Sequence, residues 1–337
     1  MSNFTMPNGI LVELFDYFHP EILDTCEIQC QLNPALMRLE PNIPRGLYFT
    51  IVGTTYECLY FLCLIAMCQK KFMKIICYRI LFIIGIFDML GLVASSLLPG
   101  YLLLSGRSFC QSPILNMWIG SWAFPGWAAY TALSISLAIN RIVDSTWPNK
   151  QEQLFGGLKI IWWTGIPASY GLILYLKLSP MLYHVPTASY YFGADPAKAQ
   201  APPLYPVNNM AAAVLVLMLN ILMLRAMFRI SHTALTNTQR VIMIQCLGIS
   251  TTGMCGGWLY VAMQWIVMPQ FMVTAANLLW QLANGSLAIF YILVNKSMRG
   301  EVMKLLGVSS CRRPTIYTTA SDQKIPTLQS NPDMGSA

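Results

Sequence analysis

Few residues in this chain are equipped to do chemistry. Asp88 lies in the stretch IIGIFDMLGLVASS and Glu57 in IVGTTYECLYFLC, each the one acid in an otherwise apolar or neutral run. A carboxyl group in such surroundings can bind a cation, switch its protonation, or make a structural hydrogen bond that fixes helix packing. Arg141 closes the run SISLAINR, either as a basic side chain snorkelling to a boundary or as a functional group. Catalysis would need more than this. No paired acids and no Ser/Lys dyad stand out, and His19, His184 and His232 are scattered. No CxxC pair or histidine cluster suggests a metal, and no cofactor is expected.

The elements that must position these residues follow from composition. Of 337 residues 55% are hydrophobic and 10% charged, against roughly 25% charged in soluble domains. Seven stretches reach the roughly 20 apolar residues needed to cross a bilayer: 46–68, 76–104, 113–139, 158–178, 208–228, 241–268 and 271–294. In lipid a backbone must satisfy its own hydrogen bonds, so each is expected to be a helix. The alternating ten-residue strands of a barrel are missing. The fold expected is an all-α bundle of seven transmembrane helices spanning 46–308, after an extracellular segment 1–45 and before a disordered cytoplasmic tail 309–337.

Charge orients the bundle. The first 20 residues lack a basic start and an unbroken apolar run, so the first span is expected to act as its own insertion signal. With the amino terminus outside, 16 of the 21 basic residues fall on inner loops and tail, as the positive-inside rule requires. Asn3-Phe-Thr is then an exposed glycosylation acceptor. The outer segment 180–207, rich in proline and tyrosine, is expected to be irregular and of the length that serves as a lid. A carboxylate at the depth of Asp88 costs about 2.5–3.5 kcal/mol, so it should face the bundle with a partner. Asn284, Ser286 or Asn140 are the candidates.

These motifs resemble those of rhodopsin-like receptors. Asn140-Arg141-Ile resembles their Asp-Arg-Tyr end of the third helix. Tyr291-Ile-Leu-Val-Asn295-Lys296-Ser-Met298-Arg299 resembles their junction into a short amphipathic helix. GIFDML resembles their second helix, and Trp162 or Trp163 before Pro167 their fourth. A closer resemblance is to the nematode serpentine chemoreceptors of class T. It rests on CYRILFIIGIFDMLGL at 77–92, Gly106-Arg-Ser-Phe-Cys110 with Pro113, and Leu137-Ala-Ile-Asn-Arg-Ile-Val-Asp144.

The resemblance implies a ligand-gated switch at the plasma membrane, in sensory cilia by analogy, with a heterotrimeric G protein as partner and an extracellular small molecule or peptide as ligand. Asn140, Arg141, Asp144, Tyr291 and Asn295 would form its switch. Three departures stand out. Asn140 replaces the acid beside the arginine, leaving Asp144 on the same helix face as the substitute. Leu287-Ala288 replaces Asn-Pro, and the sixth span lacks a proline near Trp258. In many such receptors a cysteine opening the third span bonds to the second outer loop. That loop has none here, so the resemblance points to Cys30–Cys110, with Cys26–Cys110 the near alternative. Ligand candidates are Phe124, Trp127, Trp258, Gln264, Trp265, Asn277 and Gln281, although residues at such helical spacing more often serve packing. The outer third helix has no acid to pair with an amine, and the seventh has no lysine for a Schiff base. The competing classes are a transporter or channel and an intramembrane enzyme. The first lacks a charged pathway and internal repeats.

Overall fold

The computed structural model describes residues 10, 13, 17 and 19–308, except 38, 194–200, 231–236, 264, 265 and 267. Seven long helices run through it: α1 Ile43–Met67, α2 Ile76–Ser105, α3 Pro113–Thr146, α4 Lys159–Lys177, α5 Leu204–Ile230, α6 Asn237–Ala262 and α7 Gln270–Leu293. A short α8, Lys296–Leu305, follows. By length and composition alone α1, α2, α5 up to Ala226, and α7 can cross a membrane among the described residues. The outward faces carry apolar side chains that water would not tolerate, among them Trp162 at 69%, Ile166 at 61% and Phe61 at 58% exposure. Hydrocarbon is the solvent that suits such a surface.

The middle of the bundle is α3. It packs on α2, α4 and α5 and buries side chains along its whole length, including polar Asn116, Ser121, Thr131, Ser136 and Asn140. A central helix needs less hydropathy than a lipid-facing one, because its polar groups can bond to neighbours. Helix α3 also continues past residue 139 to Thr146, since Asn140 and Arg141 are buried against neighbouring helices instead of ending the span. Helix α6 stops at Ala262, short of residue 268, and Pro269 then caps α7.

Two segments expected to be irregular and extracellular contain ordered elements. The amino-terminal part contains a helix, Pro20–Leu32, and a 3-10 turn, Pro34–Met37. Cys30 is disulfide-bonded to Cys110, while Cys26 is a buried free thiol in the same cluster. Segment 180–207 holds an antiparallel hairpin, β1 Met181–His184 and β2 Ser189–Phe192. It dips into the bundle mouth instead of lying over it. Asn116 of α3 replaces a strand partner, accepting from the Tyr183 amide at 2.9 Å and donating to its carbonyl at 3.4 Å. Gly120, one turn on, has no Cβ to strike the Met181 carbonyl that lies against it.

A defect in α2 gives this hairpin its second anchor. Val93–Leu97 form a π-helical turn, with the Leu98 amide bonded to the Val93 carbonyl. The next such bond would run from residue 99 to Ala94, but Pro99 has no N–H to give. The Tyr190 hydroxyl of β2 donates to that Ala94 carbonyl at 2.5 Å. Tyr190→Phe therefore leaves a buried carbonyl unpaired and should cost about 1–3 kcal/mol, read as a lower unfolding temperature in detergent. Tyr191→Phe, on the opposite and more exposed face of β2, should stay within about 0.5 kcal/mol.

Candidate functional site

Three polar centres lie along the bundle axis. The middle one is Asp88, fully buried on α2. Its partner is Tyr60 of α1, whose hydroxyl donates to Oδ2, while Oδ1 has no hydrogen-bond partner. None of the three expected residues supplies that bond. Asn284 lies against Gly91, one turn beyond Asp88, close enough that a Cβ there would sit 2.7 Å from its Nδ2. Ser286 is two residues further along α7, and residues so spaced on a helix do not share a face. Both side chains have polar atoms without a partner.

The inner centre surrounds Arg141, only 4% exposed. Asn140 Oδ1 accepts from its Nη2 at 2.5 Å and its Nε at 3.2 Å. Asp144 Oδ2 lies 3.3 Å from Nη1. Two of the groups that hold the guanidinium thus come from its own helix. Tyr291 is fully buried with a hydroxyl lacking a partner. Asn295 joins two elements, donating to the Tyr78 hydroxyl of α2 at 2.7 Å and capping α8 by accepting from the Met298 amide at 3.1 Å.

Helix α8 is pinned through Glu301. Lys71 lies 2.5 Å from Oε1, Lys304 donates to that atom at 2.8 Å, and Gln69 donates to Oε2 at 2.9 Å. Burial pushes the Glu301 pKa up, but the bonds from Lys304, Lys71 and Gln69 outweigh it and leave the pKa at about 2.

The outer centre is an aromatic chamber between α3, α5, α6, α7 and the hairpin. Phe124 and Trp127 of α3 line it, with Tyr190, Tyr205, Tyr260 and Trp280. Trp280 meets Tyr190 edge-on at 5.7 Å and Tyr260 at 6.1 Å. Trp127 Nε1 donates to Asn209 Oδ1 of α5 at 3.0 Å. Asn277 and Gln281 are buried behind this chamber. Asn277 accepts from the Tyr260 hydroxyl at 3.3 Å, and Gln281 donates to the Ser96 hydroxyl of α2. Trp258 is 48% exposed and does not line the chamber. Gln264, Trp265, Asn3 and the tail 309–337 lie outside the described residues.

The family profile of the serpentine type 7TM GPCR chemoreceptor Srt matches residues 15–315. The chain belongs to that family. It is also 26% identical, over 279 residues, to serpentine receptor class T-55 of Caenorhabditis elegans, covering 80% of this chain and 74% of that one. This Srt chain is accordingly a multi-pass membrane protein of a receptor family, not of an enzyme family.

Sequence reasoning about this Srt chain missed Tyr60, Asn209, Tyr190 and Trp280. Tyr60 and Trp280 sit in apolar helices, where aromatics are ordinary packing, while Tyr190 and Asn209 owe their place to a hairpin and a helix contact distant in sequence. A search for one phenol or amide facing each intramembrane acid would have raised Tyr60 alongside Asn284. Tyr60→Phe leaves the buried Asp88 carboxyl without a donor and should cost about 1–3 kcal/mol in a thermal melt. Asp88→Asn keeps an acceptor for Tyr60 and should cost less.

A pH scan tests the α8 pin. Its folded pKa is depressed, so its stabilisation is complete above about 4.5 and is lost as pH falls towards about 2. Amide exchange of α8 should be constant from neutral pH to about 4.5 and quicken below it, after correction for intrinsic rates. Glu301→Gln should remove that acid step.

Proposed function

We propose that the protein is a G-protein-coupled chemoreceptor of the plasma membrane, with its amino terminus and hairpin outside and Arg141 facing the cytosol. Ligand reaches the aromatic chamber from outside, α5 and α6 shift against α3, and the inner ends part to admit a heterotrimeric G protein. Ligand and G protein then favour the same minor arrangement of the bundle, which is a population shift between two packings.

The observation that carries this reading is the buried Arg141. A snorkelling arginine would reach water, yet this one is 4% exposed and bound to Asn140 and Asp144. Asn140 and Asp144 sit on the same helix as Arg141, so both contacts can travel with the guanidinium when the helices part. Tyr291, buried with a free hydroxyl beside the same core, gains a partner if it turns inward. The positive-inside distribution of the loops supports the orientation, and Asn3 is then a glycosylation site.

Nucleotide exchange on a reconstituted G protein tests the reading. Ligand should accelerate exchange, and Arg141→Ala should abolish the acceleration with surface expression unchanged. Ligand-evoked ionic current that needs no G protein would instead support a channel.

A further inference from the structure

A second chamber adjoins the aromatic one on its cytoplasmic side, between α3, α5 and α6. Trp127, Asn209 and Gly257 line both, so the Trp127–Asn209 hydrogen bond is the partition between them. Each holds about 30 Å³, room for roughly one water. A molecule of several heavy atoms fits only where that partition opens and the chambers merge.

The lining states what such a molecule must be. Among the described residues around both chambers there is no Asp, Glu, Lys, Arg or His. Ala212, Ala213, Val216 and Met254 make the inner walls apolar. Its polar groups are neutral: the Trp127 N–H, the Asn209 amide, the Tyr130 and Thr131 hydroxyls, and the Ser134 hydroxyl, the last buried without a hydrogen-bond partner. Trp127 and Ser134 are two turns apart on one face of α3, about 10 Å along the axis. A charged ligand here would lose its hydration with no counter-ion to replace it.

We propose that the two chambers form one site for a small neutral amphiphile, such as an alcohol, ketone or amide with an apolar body, whose polar group takes the place of Asn209 or Trp127 in the partition bond. This rests on the receptor reading and specifies its ligand class. The ring body lies on the aromatic edges of the outer chamber, and the remainder extends towards Ser134.

Binding is measured without any G protein, by fluorine NMR on the full chain in lipid nanodiscs. The probes are benzyl alcohol, benzylammonium and benzoate, each fluorinated on the ring. Benzyl alcohol should give a saturable bound signal, with the two ions roughly a hundredfold weaker. Trp127→Phe keeps an aromatic side chain, though a smaller one, removes the N–H and should weaken benzyl alcohol roughly fivefold. Ala213→Leu, which fills the inner chamber, should abolish the saturable signal while leaving non-saturable lipid partitioning. Comparable binding of either ion, no saturable benzyl alcohol signal, or a signal indifferent to both substitutions overturns the proposal. Exchange driven by a charged ligand that binds where benzyl alcohol does not would sink this inference and leave the receptor reading standing. Benzyl alcohol binding with no nucleotide exchange for any ligand would do the reverse.

Discussion

Inside hydrocarbon a polar group cannot turn to water, and that constraint governs this bundle. An isolated donor or acceptor there costs several kcal/mol, so each polar side chain on α3 or α7 requires a neighbour at a defined height and angle. Asn116 meets the Tyr183 backbone, Trp127 meets Asn209, and Asn295 meets Tyr78. Apolar packing between helices in lipid is weakly directional. These few bonds, with close contacts at small residues such as Gly91 and Gly120, fix which helix faces which.

The same constraint explains where the structure leaves its polar groups incomplete. Among the buried atoms without a partner are Asp88 Oδ1, Asn284 Nδ2, Ser286 Oγ and the Tyr291 hydroxyl, between the outer chamber and Arg141. Such groups lose little if the helices change register, because they have no bond to break, and can gain if the new packing supplies one. The inner end is tied differently. There α8 hangs on Glu301, held by Lys71 and Gln69 of the segment between α1 and α2, so movement of α7 is coupled to that segment.

The outer end is built around an imperfection in α2. Pro99 deprives the Ala94 carbonyl of its helical donor, the π-turn displays it, and Tyr190 occupies it. The hairpin is therefore a structural part of the chamber roof, joined to α2 by one phenol and to α3 by Asn116. The disulfide from Cys30 to Cys110 ties the amino-terminal helix to the start of α3 beside it.

The residue order alone located the seven long helices and their approximate limits, and marked Asp88 as a polar group that an apolar helix must bury with a partner. Each of those is a statement about transfer from water to lipid, and transfer free energy is a property of a residue and its near neighbours in sequence. The helix in 1–45 and the hairpin in 180–207 were not legible. Proline and tyrosine there carry no clear periodicity, and the hairpin depends on Asn116, which is 67 positions from its partner Tyr183. That Asn284, Ser286 and Asn140 were the candidate partners of Asp88, and Tyr60 was not among them, has the same origin. Residue types say that a carboxyl needs a donor, whereas the rotation of α1 and α7 about their axes says which donor arrives. That rotation is set by packing between helices distant in sequence, and so was decided by the tertiary structure alone.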